Sequence, residues 1–317
     1  MKSVASAPGK IILFGEHFVV YGIKAILCSI DKRITATSKF LDERIVRVSS
    51  SLGESEIELE ALNNLENIPQ KFMRPFFYIT KKAIEENPTT KGIEIILDSE
   101  IPAGVGLGSS SAACVAATAS VNGLFRKLSK EEIVKKAIQA ERIIFEQNSG
   151  GDSSVSTFGG LMSYDLKNGF ENIPTRNDLN FIISNSAQIH DTQDVVRQVR
   201  NFKENDEYTF NILCKQEIEI INNAEIALKE NNLNKLGSLM LKNQEMLKQI
   251  GISTEKIDLL IEEAKRTSYG AKITGAGGGG CIISLVDDSN RKDTLDSLGK
   301  ISDCFLAKID YNGLRYE

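Results

Sequence analysis

The sequence is poor in the residues from which metal clusters and disulfide frameworks are built. Of its 317 residues only two are histidine, His17 and His190, too few for a His-rich metal cluster. The five cysteines are odd in number, lie far apart and include no C-x-x-C pair: Cys28, Cys114, Cys214, Cys281 and Cys304. This spacing argues against both a disulfide framework and a zinc site. We therefore expect a cytoplasmic protein from a reducing compartment.

The sequence also lacks an excess of basic residues and any long apolar run. It has 38 Lys and Arg against 43 Asp and Glu, a formal net charge of −5, and the two signs are interspersed. Without a basic stripe, nucleic acid is not an expected partner. No run of about 18 apolar residues occurs, and the first residues lack the apolar stretch of a signal peptide. We expect a protein that is neither exported nor inserted into a membrane.

The pattern of the remaining sequence predicts a mixed fold of the α+β class. Short β-rich segments dominate the first hundred residues, among them 25–30 and 33–40, which are predicted as two separate strands. Helical periodicity follows over 110–125 and 130–147. Strands are predicted again over 156–166 and on both sides of the glycines in 271–286. The stretch 166–178 is polar, turn-rich and contains Pro174. We therefore predict two domains, residues 1–175 and 176–317, each mixing strands and helices.

The strongest local signal is IPAGVGLGSSSAA at 101–113, between a predicted strand and an Ala-rich helix. Glycines let backbone N–H groups point at a ligand, and a helix N-terminus favours an anion. The segment has the features of a phosphate-binding loop, although it lacks the lysine of a Walker A sequence. A tight strand-to-helix connection with a serine cap is the alternative.

Two further glycine-rich segments carry weaker signals. KITGAGGGGCIIS at 272–284 has five glycines in six positions between apolar strands, which favours close approach of the backbone to a ligand or another loop. A flexible surface loop is the alternative. APGKIILFGEHFVVYG at 7–22 places Lys10, Glu16 and His17 among turn glycines. Any one of these three is more often a surface group, but their joint occurrence favours a site.

Two carboxylates could complete such a site. Glu141 falls on the apolar stripe of the helix predicted over 130–147, where a buried charge needs a partner. That partner is either a lysine or arginine in a structural ion pair or a cation bound next to phosphate. Asp152 lies in NSGGDSS at 148–154, predicted as a loop, where a turn or cap role is the alternative to catalysis.

Taken together, these segments resemble the GHMP kinase superfamily. Its three motifs are matched in order by PGKIILFGEH (8–17), PAGVGLGSSSA (102–112) and KITGAGGGGC (272–281). The resemblance implies an N-terminal domain like domain 2 of ribosomal protein S5 and a ferredoxin-like C-terminal domain enlarged with helices. It also implies ATP and Mg²⁺ as cofactors, with ATP in the cleft between the domains. The implied ATP-binding residues are Pro102, Ala103, Gly104, Val105, Gly106, Leu107, Gly108, Ser109, Ser110, Ser111 and Ala112.

The resemblance also implies a role for each remaining site residue. Asp152 is the expected proton acceptor, with Lys10 beside it. Glu141 and Ser110 are the expected metal ligands, although three consecutive serines leave the choice between Ser109, Ser110 and Ser111 open. The expected contacts with the phosphoryl acceptor are Glu16, His17, Thr192 and Gly277.

Within the superfamily, GEHFVVYG at 15–22 is most similar to the branch whose acceptor is mevalonate. Galactokinases carry an aspartate where Val19 stands. The chain departs from that branch at Asn148, where proline is common, at Ser153, where asparagine is frequent, and in its third serine. A kinase acting on phosphomevalonate or another small alcohol, and a non-catalytic ligand-sensing relative, stay open as alternatives. The oligomeric state is also open, with a homodimer as one assembly to test.

Overall fold

The fold combines two β-sheets with helices, as the α+β prediction requires. The computed structural model describes residues 1–145, 148–175, 179–188 and 191–317. Over these residues the strands form one eight-stranded and one four-stranded sheet. None of the described helices is long and apolar enough to cross a bilayer.

The first sheet is built mainly from the first half of the chain. Its strands are β1 (Lys2–Phe14), β2 (Ala25–Leu41), β3 (Ile45–Ser50), β4 (Gly53–Glu58), β5 (Gly92–Ser99), β6 (Leu161–Asp165) and β7 (Gly169–Ile173), joined by a short strand from the end of the chain, β12 (Arg315–Tyr316). The order is β12-β1-β2-β5-β3-β4, and β6 pairs with β2 and β7. Strands β3 and β5 run parallel, whereas the other described pairs in this sheet are antiparallel.

Four helices accompany this sheet: α1 (Arg74–Glu86), α2 (Ser109–Asn122), α3 (Lys130–Glu141) and α4 (Gly151–Phe158). Helix α2 is buried on all sides from its third residue to its last, as its alanine-rich sequence requires. It packs on β1 and β2, and Ser38 on β2 and Ser120 on α2 share a hydrogen bond of 2.8 Å between their hydroxyls. Small side chains let the helix lie close to the sheet, so that its N-terminus is held in a fixed position.

The second sheet and five helices follow. Its strands, in the order β11-β8-β10-β9, are β8 (Asn180–Asn185), β9 (Gly270–Thr274), β10 (Cys281–Val286) and β11 (Cys304–Lys308), and its pairs are antiparallel. The helices are α5 (Thr192–Asn205), α6 (Glu207–Lys229), α7 (Leu233–Gln249), α8 (Glu255–Lys265) and α9 (Arg291–Leu298). After β11 the chain returns to the first sheet, where Arg33 and Asp310 form an ion pair.

The predicted domain limits stay a prediction. The stretch 166–178, read as a polar linker, contains β7, which pairs with β6. Residues 176–178 lie outside the described residues, as does His190. Strand β12 lies on the first sheet although it belongs to the predicted second domain.

Three predicted elements have other bounds. The helix predicted over 130–147 ends at Glu141. The strand predicted over 156–166 begins only at Leu161, because residues 151–158 form α4 between Gly150 (φ 84°) and Gly159 (φ 80°), two glycines with positive φ. The segments 25–30 and 33–40, predicted as two strands, are one continuous strand, β2. Asp152 therefore lies in the first turn of a helix and not in a loop.

Candidate active site

Lys10 and Asp152 meet at the centre of the candidate site. Lys10 is on β1 and Asp152 in the first turn of α4, and their side chains form an ion pair of 3.2 Å between Nζ and Oδ2. The lysine side chain is 5% exposed, whereas that of the aspartate is 37% exposed. The lysine is therefore fixed within the fold, and the carboxylate stays accessible to a ligand.

The glycines of the loop 102–108 make this arrangement possible. Gly104, Gly106 and Gly108 all have positive φ, between 72° and 83°. A Cβ at Gly108 would lie 2.7 Å from Cγ of Lys10. Glycine is thus required at 108 both for its backbone conformation and for the path of the lysine side chain. The N–H of Lys10 also donates to the carbonyl of Leu107, at 2.9 Å.

Helix α2 begins directly after this loop without a side-chain cap. Its N-cap residue is Gly108, and no side chain accepts a hydrogen bond at that position. Ser109 and Ser110 are half-buried in the first turn. N–H groups at the start of a helix have no partner within the helix and favour an anion. The loop and the helix start therefore have the features of a phosphate-binding site.

Glu141 is buried at the end of α3 and accepts three hydrogen bonds. Ser111 donates to Oε1 at 2.6 Å, while Asn148 and Ser153 donate to Oε2 at 2.5 and 3.0 Å. No lysine or arginine of the described residues forms an ion pair with it. Burial, followed by the nearby charge of Asp152, raises the pKa of Glu141.

The surroundings of Glu141 differ from two expectations drawn from the sequence: an ion pair with Glu141, and Ser110 as its neighbouring serine. The structural ion pair weighed for this residue is not present among the described residues, so its charge is held by neutral donors. Of the three consecutive serines, the one that donates to Glu141 is Ser111, not Ser110, the serine expected beside it in the metal site. All three departures from the family pattern, at Ser111, Asn148 and Ser153, are donors to this one carboxylate.

The second glycine-rich loop, 275–280, faces the first. A Cβ at Gly275 would lie 3.6 Å from the carbonyl oxygen of Gly106. Thr274 anchors the loop to β1, because its hydroxyl bonds both the N–H and the carbonyl of Ile12. Gly278 donates to the carbonyl of Ile252 at 2.7 Å. The many glycines of this segment therefore let the two loops pack closely against each other.

His17 joins the first motif to this loop. It has a positive φ of 61°, which is rare for a residue with a Cβ. Its Nε2 lies 2.6 Å from the carbonyl oxygen of Ala276. A carbonyl can only accept, so Nε2 carries the proton. Burial lowers the pKa of His17, which favours the neutral ring.

Glu16, the neighbour of His17, is buried and not exposed to a ligand. Its carboxylate is buried and forms an ion pair with Lys272 on β9. Thr192 is exposed at the first position of α5, and no hydrogen bond joins it to the other predicted site residues among those described. Gly277 is buried in the loop that His17 contacts. The predicted roles of these residues in binding the acceptor stay predictions.

Comparison with known proteins defines the class to which this fold and site belong. Residues 74–160 match the model of the GHMP kinases N terminal domain, and residues 224–300 match that of the GHMP kinases C terminal region. The chain belongs to the GHMP kinase family, whose members use ATP.

Within that family, the chain is similar to mevalonate kinases over its full length. It is 33% identical to the mevalonate kinase of Thermococcus sibiricus, covering 100% of this chain and 99% of that protein. It is 34% identical to that of Archaeoglobus fulgidus, with 99% of both covered. The crystal structure of the Methanococcus jannaschii mevalonate kinase superposes with a TM-score of 0.87 at 30% identity, over 97% of this chain and 98% of that one.

Proposed function

We propose that this protein transfers the terminal phosphoryl group of ATP to the primary hydroxyl of mevalonate, giving 5-phosphomevalonate. The observation that carries the proposal is the Lys10–Asp152 pair beside the uncapped N-terminus of α2. A proton acceptor and a phosphate-binding loop are thereby brought to one place. Full-length similarity to mevalonate kinases supports the choice of acceptor.

Asp152 acts as the proton acceptor for the substrate hydroxyl. Its carboxylate is accessible, and Lys10 holds it from the buried side. Lys10 also steadies the negative charge that develops on the attacking oxygen. Phosphoryl transfer needs mainly an in-line arrangement of two oxygens and neutralised charge, so positioning by these two residues suits the reaction.

Glu141 and the serines of the α2 N-terminus suit a Mg²⁺ ion bound with ATP. The donor set is one carboxylate and a hydroxyl, and Mg²⁺ usually takes one or two protein oxygens besides phosphate and water. The carboxylate of Glu141 has no cationic partner among the described side chains, which fits such a role. When bound, the ion supplies neutralisation of phosphate charge. We keep Ser110 as the proposed ligand, and Ser111 as the residue that orients Glu141.

The acceptor lies towards His17 and Gly277. Because Nε2 of His17 donates to Ala276, Nδ1 is the nitrogen free to accept a hydrogen bond from a substrate hydroxyl. Thr192 stays a weaker proposal. Val19, which replaces the sugar-binding aspartate of galactokinases, disfavours galactose.

The test is release of ADP with Mg²⁺ and a panel of acceptors: mevalonate, phosphomevalonate, galactose and homoserine. We expect turnover with mevalonate, and a product identified by ³¹P NMR as the 5-phosphate. Equal or faster turnover of another acceptor would refute the substrate assignment. Binding of mevalonate without ADP release would favour a ligand-sensing relative. A homodimer remains a separate prediction.

A further inference from the structure

A buried cluster of charged side chains lies behind the turn that carries His17. Its members are Glu16 in the turn after β1, Glu217 on α6 and Lys272 on β9, all at most 1% exposed. Lys272 forms an ion pair with Glu16 and also donates to the carbonyl of Ile273. The cluster therefore joins the first sheet to the helices and sheet of the second half of the chain.

The side chain of Glu217 binds the backbone of this turn directly. Its Oε1 accepts the N–H of Gly15 at 2.9 Å, two residues before His17. Its Oε2 accepts from Nδ2 of Asn243 on α7, at 2.6 Å. Gly15 has a φ of 96°, and a Cβ there would lie 2.5 Å from Cα of Ala25. The turn is thus fixed from two sides, by Ala25 and by Glu217.

The charges in this cluster do not balance when both carboxyl groups are ionised. Two carboxylates would face one lysine in a region with almost no solvent contact, leaving one uncompensated buried negative charge. Such a charge is costly, and a buried group commonly loses it by taking up a proton. One proton on Glu217 makes the cluster neutral, because Glu16 and Lys272 already pair with each other.

Asn243 offers a partner for that proton. Its Oδ1 is buried and has no hydrogen-bond partner among the described residues. Turning the amide by a half rotation brings Oδ1 towards Oε2 of Glu217, because the two ends of an amide are similar in size. A protonated Oε2 could then donate to Oδ1, while Oε1 continues to accept from Gly15.

We propose that Glu217 is a positioning residue for the Gly15–His17 turn, and that it holds this turn as a neutral, protonated carboxyl group. Lys272 and Glu16 complete the cluster as a balanced ion pair. The role assigned to the turn rests on the proposed function, because His17 is to contact the acceptor. The proton on Glu217 does not depend on that function.

Burial shifts the pKa of each charged group in the cluster. It raises the pKa of Glu16 and lowers that of Lys272, while the attraction between these two groups and, for Glu16, the charge of Lys10 on β1 oppose the shifts and favour the ion pair. Burial first, and then the negative charge of Glu16, raise the pKa of Glu217 to about 7, against the opposing effect of Lys272. On α6 itself, Cys214 is the other titratable group that interacts with it, and α7 contributes the neutral Asn243. A raised pKa means that the folded state holds the proton more tightly than the unfolded state. Stability therefore falls as the pH rises from about 4.5 to about 7 and levels off above.

The direct test is a ¹³C NMR titration of the wild-type protein labelled at the glutamate carboxyl carbons. The Glu217→Gln variant assigns the signal, and Glu94→Gln serves as the control for a second paired glutamate remote from this cluster. We expect the assigned carboxyl to titrate near pH 7. A midpoint near 4.5 would overturn the proposal.

A kinetic test separates positioning from a merely structural role. Glu217→Leu leaves the N–H of Gly15 without its acceptor, which we expect to raise the KM for mevalonate roughly tenfold while kcat changes less. In the wild type, the KM should rise between pH 6 and 8.5 as Glu217 ionises, and Glu217→Gln should reduce that rise. Glu94→Gln should keep it.

An unchanged KM for mevalonate in Glu217→Leu, or an unaltered pH profile in Glu217→Gln, would refute the positioning role. If Glu217→Leu does not fold, the pH profile of Glu217→Gln and the titration of the wild type still decide the matter. Should mevalonate not be the substrate, the kinetic arm fails for every variant and the wild type alike. The titration still reports on the proton, so the two failures are distinguishable.

Discussion

Glu141 and Glu217 lie in the same kind of place but have different surroundings. Each is a buried carboxyl group on the apolar face of a helix. Glu217 lies in a closed cluster in which the protein supplies a cation, Lys272, that pairs with Glu16. Around Glu141 the protein supplies three neutral donors and no ion pair from the described residues.

This difference separates a structural carboxyl group from one that can bind a ligand. A buried charge needs a counter-charge or must lose its own. The Glu217 cluster meets that need internally, which suits a residue that holds a turn. The Glu141 site meets this need only in part. The site adjoins Asp152 and the start of α2, where a cation accompanying phosphate would be bound.

The largest expected effect is that of removing the charge next to Glu141. Asp152→Asn keeps size and shape but removes the proton acceptor, so kcat should fall by about 10² to 10⁴-fold while both KM values change far less. Steady-state kinetics measure this split. The matched control is Asp42→Asn, which removes an aspartate from an exposed ion pair, also of 3.2 Å, with Lys91. If Asp152→Asn keeps more than about a tenth of the wild-type kcat, Asp152 is not the base.

A smaller effect is expected from replacing Ser110 or Ser111, and it distinguishes a metal ligand from a residue that orients Glu141. Ser110→Ala should raise the Mg²⁺ concentration for half-maximal rate by roughly five- to tenfold, the loss of about one neutral contact. Ser111→Ala should change it less and instead lower the free energy of unfolding by about 1 kcal/mol, because a buried carboxylate loses a donor. Mg²⁺ titrations and denaturant unfolding measure the two quantities. A reversed order would make Ser111 the ligand.

Much of the fold could be predicted from the sequence, because local patterns specify it. The β-rich segments became strands, and the alanine-rich run became the buried helix α2. The prediction that Asp152 lies in a loop was wrong, because the glycines and serines of 148–154 are typical of loops. The short helix α4 lies between two glycines with positive φ, Gly150 and Gly159, and local sequence pattern does not show it.

For the site, single residues could be predicted from the sequence, but their contacts could not. Glu141 was found because a charge interrupts an apolar helical stripe. The same rule applies to Glu217, which follows Phe210 and Leu213 and precedes Ile220 on the buried face of α6. Its partners could not be predicted in this way. Gly15 lies 202 positions away, and only tertiary structure brings such groups together.

The most direct test of the comparison is binding of Mn²⁺, followed by electron paramagnetic resonance in the presence of a non-hydrolysable ATP analogue. Glu141→Gln should weaken Mn²⁺ binding by at least about tenfold, and Glu217→Gln should leave it within about twofold of the wild type, since Glu217, held neutral in its own cluster, offers a cation no charge. Both proteins should remain folded by circular dichroism. Equal Mn²⁺ affinity in Glu141→Gln and the wild type would contradict the account.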